Sequence, residues 1–198
     1  MRYRTIVADP PWAYEGFASS PTPKRGLAQQ VKVDPLPYPS MSVADLCDLG
    51  VREVCSSDAR LFLWTTNRYL RDAFDVMGAW GFEYRQAIVW RKSGNPSPFG
   101  GSVAPNHAEF LLVGRRGAPP VATRWKSSVI TAPAAAAPGS HSAKPECFID
   151  LIEQVSPGPY LELFARRARF GWDYAGDGSL GTVDIPGLRA PGQERDAA

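Results

Sequence analysis

Five short apolar runs constrain this chain most. They are Thr5-Ile6-Val7-Ala8, Leu61-Phe62-Leu63-Trp64, Ala87-Ile88-Val89-Trp90, Phe110-Leu111-Leu112-Val113 and Tyr160-Leu161-Glu162-Leu163-Phe164. A strand with one wet face alternates apolar and polar residues, whereas a strand covered on both faces does not. Most of these runs are continuous, so they predict strands buried in the middle layer of a fold.

Helical patterns lie between them. Ser42-Val43-Ala44-Asp45 has the spacing of a capping box and leads into Leu46, Cys47 and Val54. Asn67 is placed to cap a helix in which Leu70, Ala73, Phe74 and Met77 recur at i, i+3, i+4 and i+7, with Gly78 and Gly81 at its end. Pro145 suits a first helical turn, which needs no N–H there. Phe148, Leu151, Ile152 and Val155 follow at the same spacing until Ser156-Pro157-Gly158. Strands alternating with helices predict an α/β fold with a mostly parallel sheet and helices on both faces. Such sheets bind ligands at the carboxyl ends of their strands. Asp9, Trp64-Thr65-Thr66-Asn67 and Phe164-Ala165-Arg166 are expected to meet there.

The 198 residues suit one domain. Residues 1–181 are expected to form it, and 182–198, poor in apolar residues, to be a flexible tail. Residues 13–37, 91–106 and 132–139 read as loops, and loops of this length in a small domain are usually functional or disordered. Cys47, Cys55 and Cys147 stand at no metal-ligand spacing, and only His107 and His141 accompany them, so neither a disulfide framework nor a metal site is expected. No run approaches the roughly 18 apolar residues of a membrane span, and Met1-Arg2-Tyr3-Arg4 does not open a signal peptide. A cytoplasmic protein without a membrane partner is expected.

Net charge is +2, but it is unevenly spread. From Tyr84 to Pro145 stand Arg85, Arg91, Lys92, Arg115, Arg116, Arg124, Lys126 and Lys144, against the single acid Glu109. A basic stretch on a near-neutral chain suits a phosphate-contacting surface.

The sharpest chemical signal is Asp9-Pro10-Pro11-Trp12, directly after the first strand. The N6 amine of adenine is a poor nucleophile because its lone pair is delocalised into the ring. Acceptors that hold its hydrogens free that pair. Asp9 offers a carboxylate acceptor, and the Pro10 carbonyl offers a second. Pro10 and Pro11 fix φ and remove competing N–H donors. Trp12 offers an aromatic face to an unstacked base, worth about 1–3 kcal/mol. An acidic first residue with a terminal Trp favours adenine over the exocyclic amine of cytosine.

With these motifs the chain resembles the mRNA adenosine-N6 methyltransferase family, MT-A70, in its short bacterial and phage form. The resemblance runs from about Ile6 to Gly176. It rests on Ala8-Asp9-Pro10-Pro11-Trp12, Tyr38-Pro39-Ser40-Met41-Ser42, Leu61 to Asn67, Trp90-Arg91-Lys92, His107 to Gly117, His141 to Pro145, Leu161 to Arg166 and Gly171-Trp172-Asp173. It implies a Rossmann-like fold with permuted motif order, the catalytic tetrapeptide first and the cofactor strand last. It implies S-adenosyl-L-methionine as cofactor, held by Asp9, Lys144, Glu162, Phe164, Arg166 and Asp177. In that arrangement Glu162 accepts from cofactor hydroxyls and Lys144 meets the methionine carboxylate. Asp177 stands where relatives often have Asn. Tyr38 would lie in a loop that closes over the target base, and Arg91, Lys92, His107, Arg115 and Arg116 would contact nucleic acid. The expected activity is site-specific adenine-N6 methylation of DNA. The alternatives are adenosine methylation of RNA, or a non-catalytic nucleic-acid-binding subunit. A homodimer or a partner subunit fits the resemblance.

Overall fold

The computed structural model describes residues 2–13, 40–94, 103–133, 143–165, 168–176 and 181–188. Among these, seven strands form one sheet: β1 Tyr3–Ala8, β2 Cys55–Thr65, β3 Glu83–Ser93, β4 Ala108–Arg116, β5 Val129–Pro133, β6 Tyr160–Leu163 and β7 Trp172–Ala175. Their order across the sheet is β5-β3-β4-β2-β1-β6-β7. Strand β4 runs antiparallel to both of its neighbours, β2 and β3. All other pairs are parallel. The sheet is thus mostly parallel, as the continuous apolar runs predict.

Both faces are covered, and successive residues of the central strands serve them in turn. Ile6, Ala8, Leu61, Leu63, Leu161 and Leu163 pack with Leu46 of α1 (Val43–Cys47) and with Ala73, Val76 and Met77 of α3 (Leu70–Ala79). Val7, Phe62, Trp64, Ile88 and Leu111 pack on the other face with Phe148 and Ile152 of α4 (Glu146–Val155). These two apolar layers explain why every residue from Thr5 to Ala8 and from Ala59 to Thr65 is buried.

The elements depart from expectation in instructive places. Strand β2 begins at Cys55, well before the apolar run: Cys55 pairs with Tyr3, and Ser56-Ser57-Asp58 lie in an irregularity of the register before Arg60 pairs with Thr5. Strands β5 and β7 were not foreseen. β5 is a mostly exposed edge strand, and β7 has only four residues, one of them Asp173. Neither has the apolar run of a central strand.

The helix expected from Ser42 to Val54 is two, α1 and α2 (Val51–Val54), broken at Asp48-Leu49-Gly50. Ser42 does cap α1, its Oγ accepting from the Asp45 N–H at 3.1 Å. The cap expected at Asn67 is instead a 3-10 turn, Asn67–Tyr69, ahead of α3. Phe74, expected in the core, is 40% exposed and meets Tyr84 edge to face, while Val76 takes the buried position.

Residues 182–188, expected in a flexible tail, are held instead. The N–H groups of Thr182 and Val183 donate to the Tyr174 carbonyl, Ile185 is buried, and the Gly50 N–H donates to the Pro186 carbonyl at 2.8 Å. A Cβ at Gly50 would lie 2.7 Å from Pro186 Cβ, so only glycine admits this contact. No helix among the described residues is long and apolar enough to cross a membrane.

Helix α4 hangs on Phe148, whose ring packs edge-on against Trp64 at 4.9 Å and Trp90 at 6.3 Å. Phe148→Ala should destabilise the fold by about 3–5 kcal/mol, the usual cost of removing a buried phenyl ring. Urea denaturation of wild type and variant checks this.

Candidate active site

Asp9 leaves the carboxyl end of β1, the strand between β2 and β6. The next residues turn sharply. The Trp12 N–H donates back to the Pro10 carbonyl at 2.8 Å, and the Pro11 carbonyl accepts from the Met41 N–H at 2.9 Å. A carbonyl has two lone pairs, so the Pro10 oxygen is oriented by one bond and retains capacity for another.

Trp12 corrects the expectation drawn from its sequence. It is 3% exposed, its indole stacks on Tyr69 at 5.1 Å, and its Nε1–H donates to the Trp64 carbonyl at 3.3 Å. The Tyr69 hydroxyl in turn donates to the Ala13 carbonyl. A ring so enclosed has no face for a base in this arrangement. It braces the tetrapeptide against the β2–α3 turn. Tyr69 was missed because nothing in Asn67-Arg68-Tyr69 signals a partner 57 residues upstream.

Beside Asp9 lies a chain of alternating charges. Lys144 Nζ stands 2.8 and 2.7 Å from the two Asp9 carboxylate oxygens and 3.4 Å from Glu109 Oε2. Lys92 Nζ stands 2.5 Å from Glu109 Oε1. Both ammonium groups also lie over indoles, Lys144 5.5 Å from the Trp64 ring and Lys92 5.0 Å from the Trp90 ring. Those two rings pack at 79° to each other. Burial pushes the Glu109 carboxyl up, but the charges of Lys144 and Lys92 outweigh it and hold the group below its ordinary value. Glu109 carries no role in the sequence reading; its one signal is to be the lone acid in a basic stretch.

On the other side of β1, Glu162 sits in register with Val7 and Tyr174. The chain then leaves β6 through Phe164, which has a φ of 63°. This left-handed conformation is rare for a bulky residue and costs of order 1–3 kcal/mol. It is fixed by the Phe164 N–H donating to the Ala175 carbonyl at 2.6 Å. Gly176 faces it with a φ of 144°, and a Cβ there would lie 2.8 Å from Phe164 Cα. Two strand ends are thus drawn close by a strained residue and a glycine.

A cation next to Asp9 and a carboxylate on β6 suit a group with a carboxylate at one end and hydroxyls at the other. Tyr38, His141, Arg166 and Asp177 lie outside the described residues.

The basic residues divide. Arg91 and His107 are exposed where β3 ends and β4 begins, at the edge that carries Asp9. The Lys92 N–H donates to the His107 carbonyl at 2.8 Å, but the Lys92 side chain is committed to Glu109 rather than to nucleic acid. Arg115 and Arg116 lie at the opposite edge. Because β4 is antiparallel to β2, they pair with Arg60 and Ala59 near the start of β2, while Phe110 pairs with Thr65 at its end. At about 3.4 Å per residue that is about 15 Å or more from Asp9. Arg115 approaches Glu83 at 3.6 Å, and Arg116 donates to the Arg52 carbonyl at 3.0 Å. Their expected place beside a bound target is therefore corrected by the direction of one strand.

A mostly parallel sheet with helices on both faces, and an acidic residue and two prolines at a central strand's carboxyl end, make this an α/β protein of the Rossmann-like methyltransferase class. The profile of the MT-A70 family matches residues 3–178. The chain belongs to that family. The Type II methyltransferase M.MunI of a Mycoplasma species is 31% identical over 182 residues, covering 87% of this chain and 76% of its own. The human N(6)-adenosine-methyltransferase catalytic subunit METTL3 is 27% identical over 172 residues, and the MT-A70-like protein of Drosophila melanogaster is 28% identical over 172. The chain spans about a quarter of the length of these last two, 26% and 24% respectively.

Two outcomes follow from this geometry. Gly176→Ala should cost about 1–3 kcal/mol in stability, from backbone strain and the contact with Phe164; thermal melts of the pair of proteins measure it.

Glu109 and Glu153 both hold protons less readily in the fold than their ordinary value of 4.5, Glu153 through its hydrogen bonds from Arg169. The unfolded chain therefore binds more protons, and stability rises with pH in that range. Their contribution is complete above the ordinary carboxylate range and is lost as pH falls through and below it. Denaturation midpoints followed from neutral pH into acid should show this loss, and Glu109→Gln should flatten it.

Proposed function

We propose that this chain transfers a methyl group from S-adenosyl-L-methionine to the N6 amine of adenine in DNA. One observation carries the reading: the Asp9 carboxylate stands at the carboxyl end of β1 and is held by Lys144 at 2.7 and 2.8 Å, beside the fixed carbonyl of Pro10. A carboxylate offers about four lone-pair sites and accepts only. Asp9 can therefore accept from the adenine amine beside its contacts to Lys144, and the Pro10 oxygen takes the second amine hydrogen with its remaining lone pair. Held in this way, the amine nitrogen turns its own lone pair away from the ring.

S-adenosyl-L-methionine, when bound, supplies a methyl group on a sulfonium. Transfer would join that methyl to the amine nitrogen, leave the sulfur as a neutral thioether and release one amine proton to solvent, with Asp9 and the Pro10 carbonyl holding the amine. Lys144 balances the charge of Asp9 and suits the carboxylate of that cofactor. Glu162 would accept from its hydroxyls, with Phe164 and Gly176 shaping the backbone beside it. Asp9 and Lys144 act mainly by placing the reactants, which is where direct displacements gain most.

A duplex target must be flipped out at a cost of a few kcal/mol. Arg91 and His107, exposed at the same edge, are suited to its phosphates. The choice of DNA follows the likeness to the bacterial Type II methyltransferase.

Incorporation of label from methyl-labelled cofactor into DNA with and without adenine tests the reading. Labelling should require adenine and should be weaker on RNA of matched sequence than on DNA. Asp9→Ala should lower turnover by about 100-fold or more with an unchanged melting profile. Undiminished labelling of adenine-free DNA discards the proposal.

A further inference from the structure

We infer that Glu109 is a positioning residue for this methyl transfer: it restrains the Lys144 ammonium so that Asp9 keeps an acceptor for the incoming amine. This rests on the function proposed above.

Glu109 stands at the start of β4, in register with Trp90, at the edge of the sheet that carries Asp9. Its side chain is 12% exposed, and its two oxygens face two different lysines. A buried carboxylate with one partner would serve as a local neutraliser. One that spans two cations sets the distance between them.

The ammonium of Lys144 has three donors. Asp9 takes contacts at 2.7 and 2.8 Å, and Glu109 lies within 3.4 Å. Two carboxylates thus share one ammonium. Without Glu109, the Lys144 ammonium would lose its second carboxylate, and Lys92 would lose the carboxylate that neutralises it in the same corner. Both changes strengthen the hold on the Asp9 oxygens, which an adenine amine must then contest. With Glu109 present the four groups sum to zero charge. The indoles of Trp64 and Trp90 set the height of the two ammonium groups from below. Glu109 closes the arrangement from the β4 side. It acts through Lys144 and has no place among the reacting atoms.

A residue needed only for folding would lower all activities together with stability. A residue needed only for cofactor binding would lower affinity in step with rate. Glu109→Gln keeps the shape and one acceptor while removing the charge. Its turnover on adenine DNA should fall about 10–100-fold, while cofactor affinity, read by calorimetry, stays within about threefold. Lys92→Met should lower turnover in the same direction by less, and the double variant should be no slower than Glu109→Gln, the non-additivity expected of residues acting through one contact.

Wild-type turnover in folded Glu109→Gln overturns the inference, and so does a loss of cofactor affinity equal to the loss of rate. Should Glu109→Gln fail to fold, Lys92→Met decides by the same comparison of turnover and affinity. If the wild-type protein methylates an acceptor other than adenine, the proposed function falls, while the comparison made on that acceptor still decides Glu109. If it methylates nothing, both fall.

Discussion

The pairing of Lys144 with Asp9 joins parts of the chain 135 residues apart. Asp9 belongs to a strand in the interior of the sheet, and Lys144 precedes the helix that covers one face of it. The contact can form only if β1 is threaded between β2 and β6 and if α4 is seated on the aromatic layer of Phe148, Trp64 and Trp90. The apolar frame places the charges, and the charges define where chemistry can happen. Partly buried ion pairs add little to stability when desolvation is counted. Under the proposed function, the pair serves to place reactants more than to hold the fold.

Much of this frame was legible in the residues. Continuous apolar runs marked β1, β4 and β6 and the cores of β2 and β3, since strands covered twice have no wet face to encode. The helix at 146–155 was equally plain, because Phe148, Leu151, Ile152 and Val155 mark a stripe that a turn at Ser156 ends. β5 and β7 escaped for the opposite reason: each lies at a margin of the sheet and is short, half polar, or both. The break at Gly50 coincides with its contact with Pro186, which nothing in the neighbouring residues announces.

The site was legible in its chemistry more than in its geometry. Asp9 could be singled out by residue type and Lys144 through the family resemblance, yet nothing in their spacing announces that they meet. Trp12 invited a reading as an open aromatic surface, and only its stacking on Tyr69 reveals a brace. Arg115 and Arg116 looked as basic as Arg91, but the direction of β4 carries them to the far edge. Charge along a sequence says how much positive potential a protein holds, and strand polarity decides which end of the sheet receives it.

That single reversed strand has a further effect on how such a scaffold can diversify. β3 ends and β4 begins on the rim that bears Asp9, so whatever joins them must leave and re-enter at the mouth of the site. The same is not true of a parallel crossover, whose return path passes down a helix and away. Lengthening a connection costs little entropy per added residue. Insertions between Ser93 and Ala108 can therefore remodel what the mouth grips while every register in the sheet is left untouched. Selectivity for a target is then free to vary on one joint of the molecule, while Asp9 at the end of β1 and Lys144 ahead of α4 keep their places.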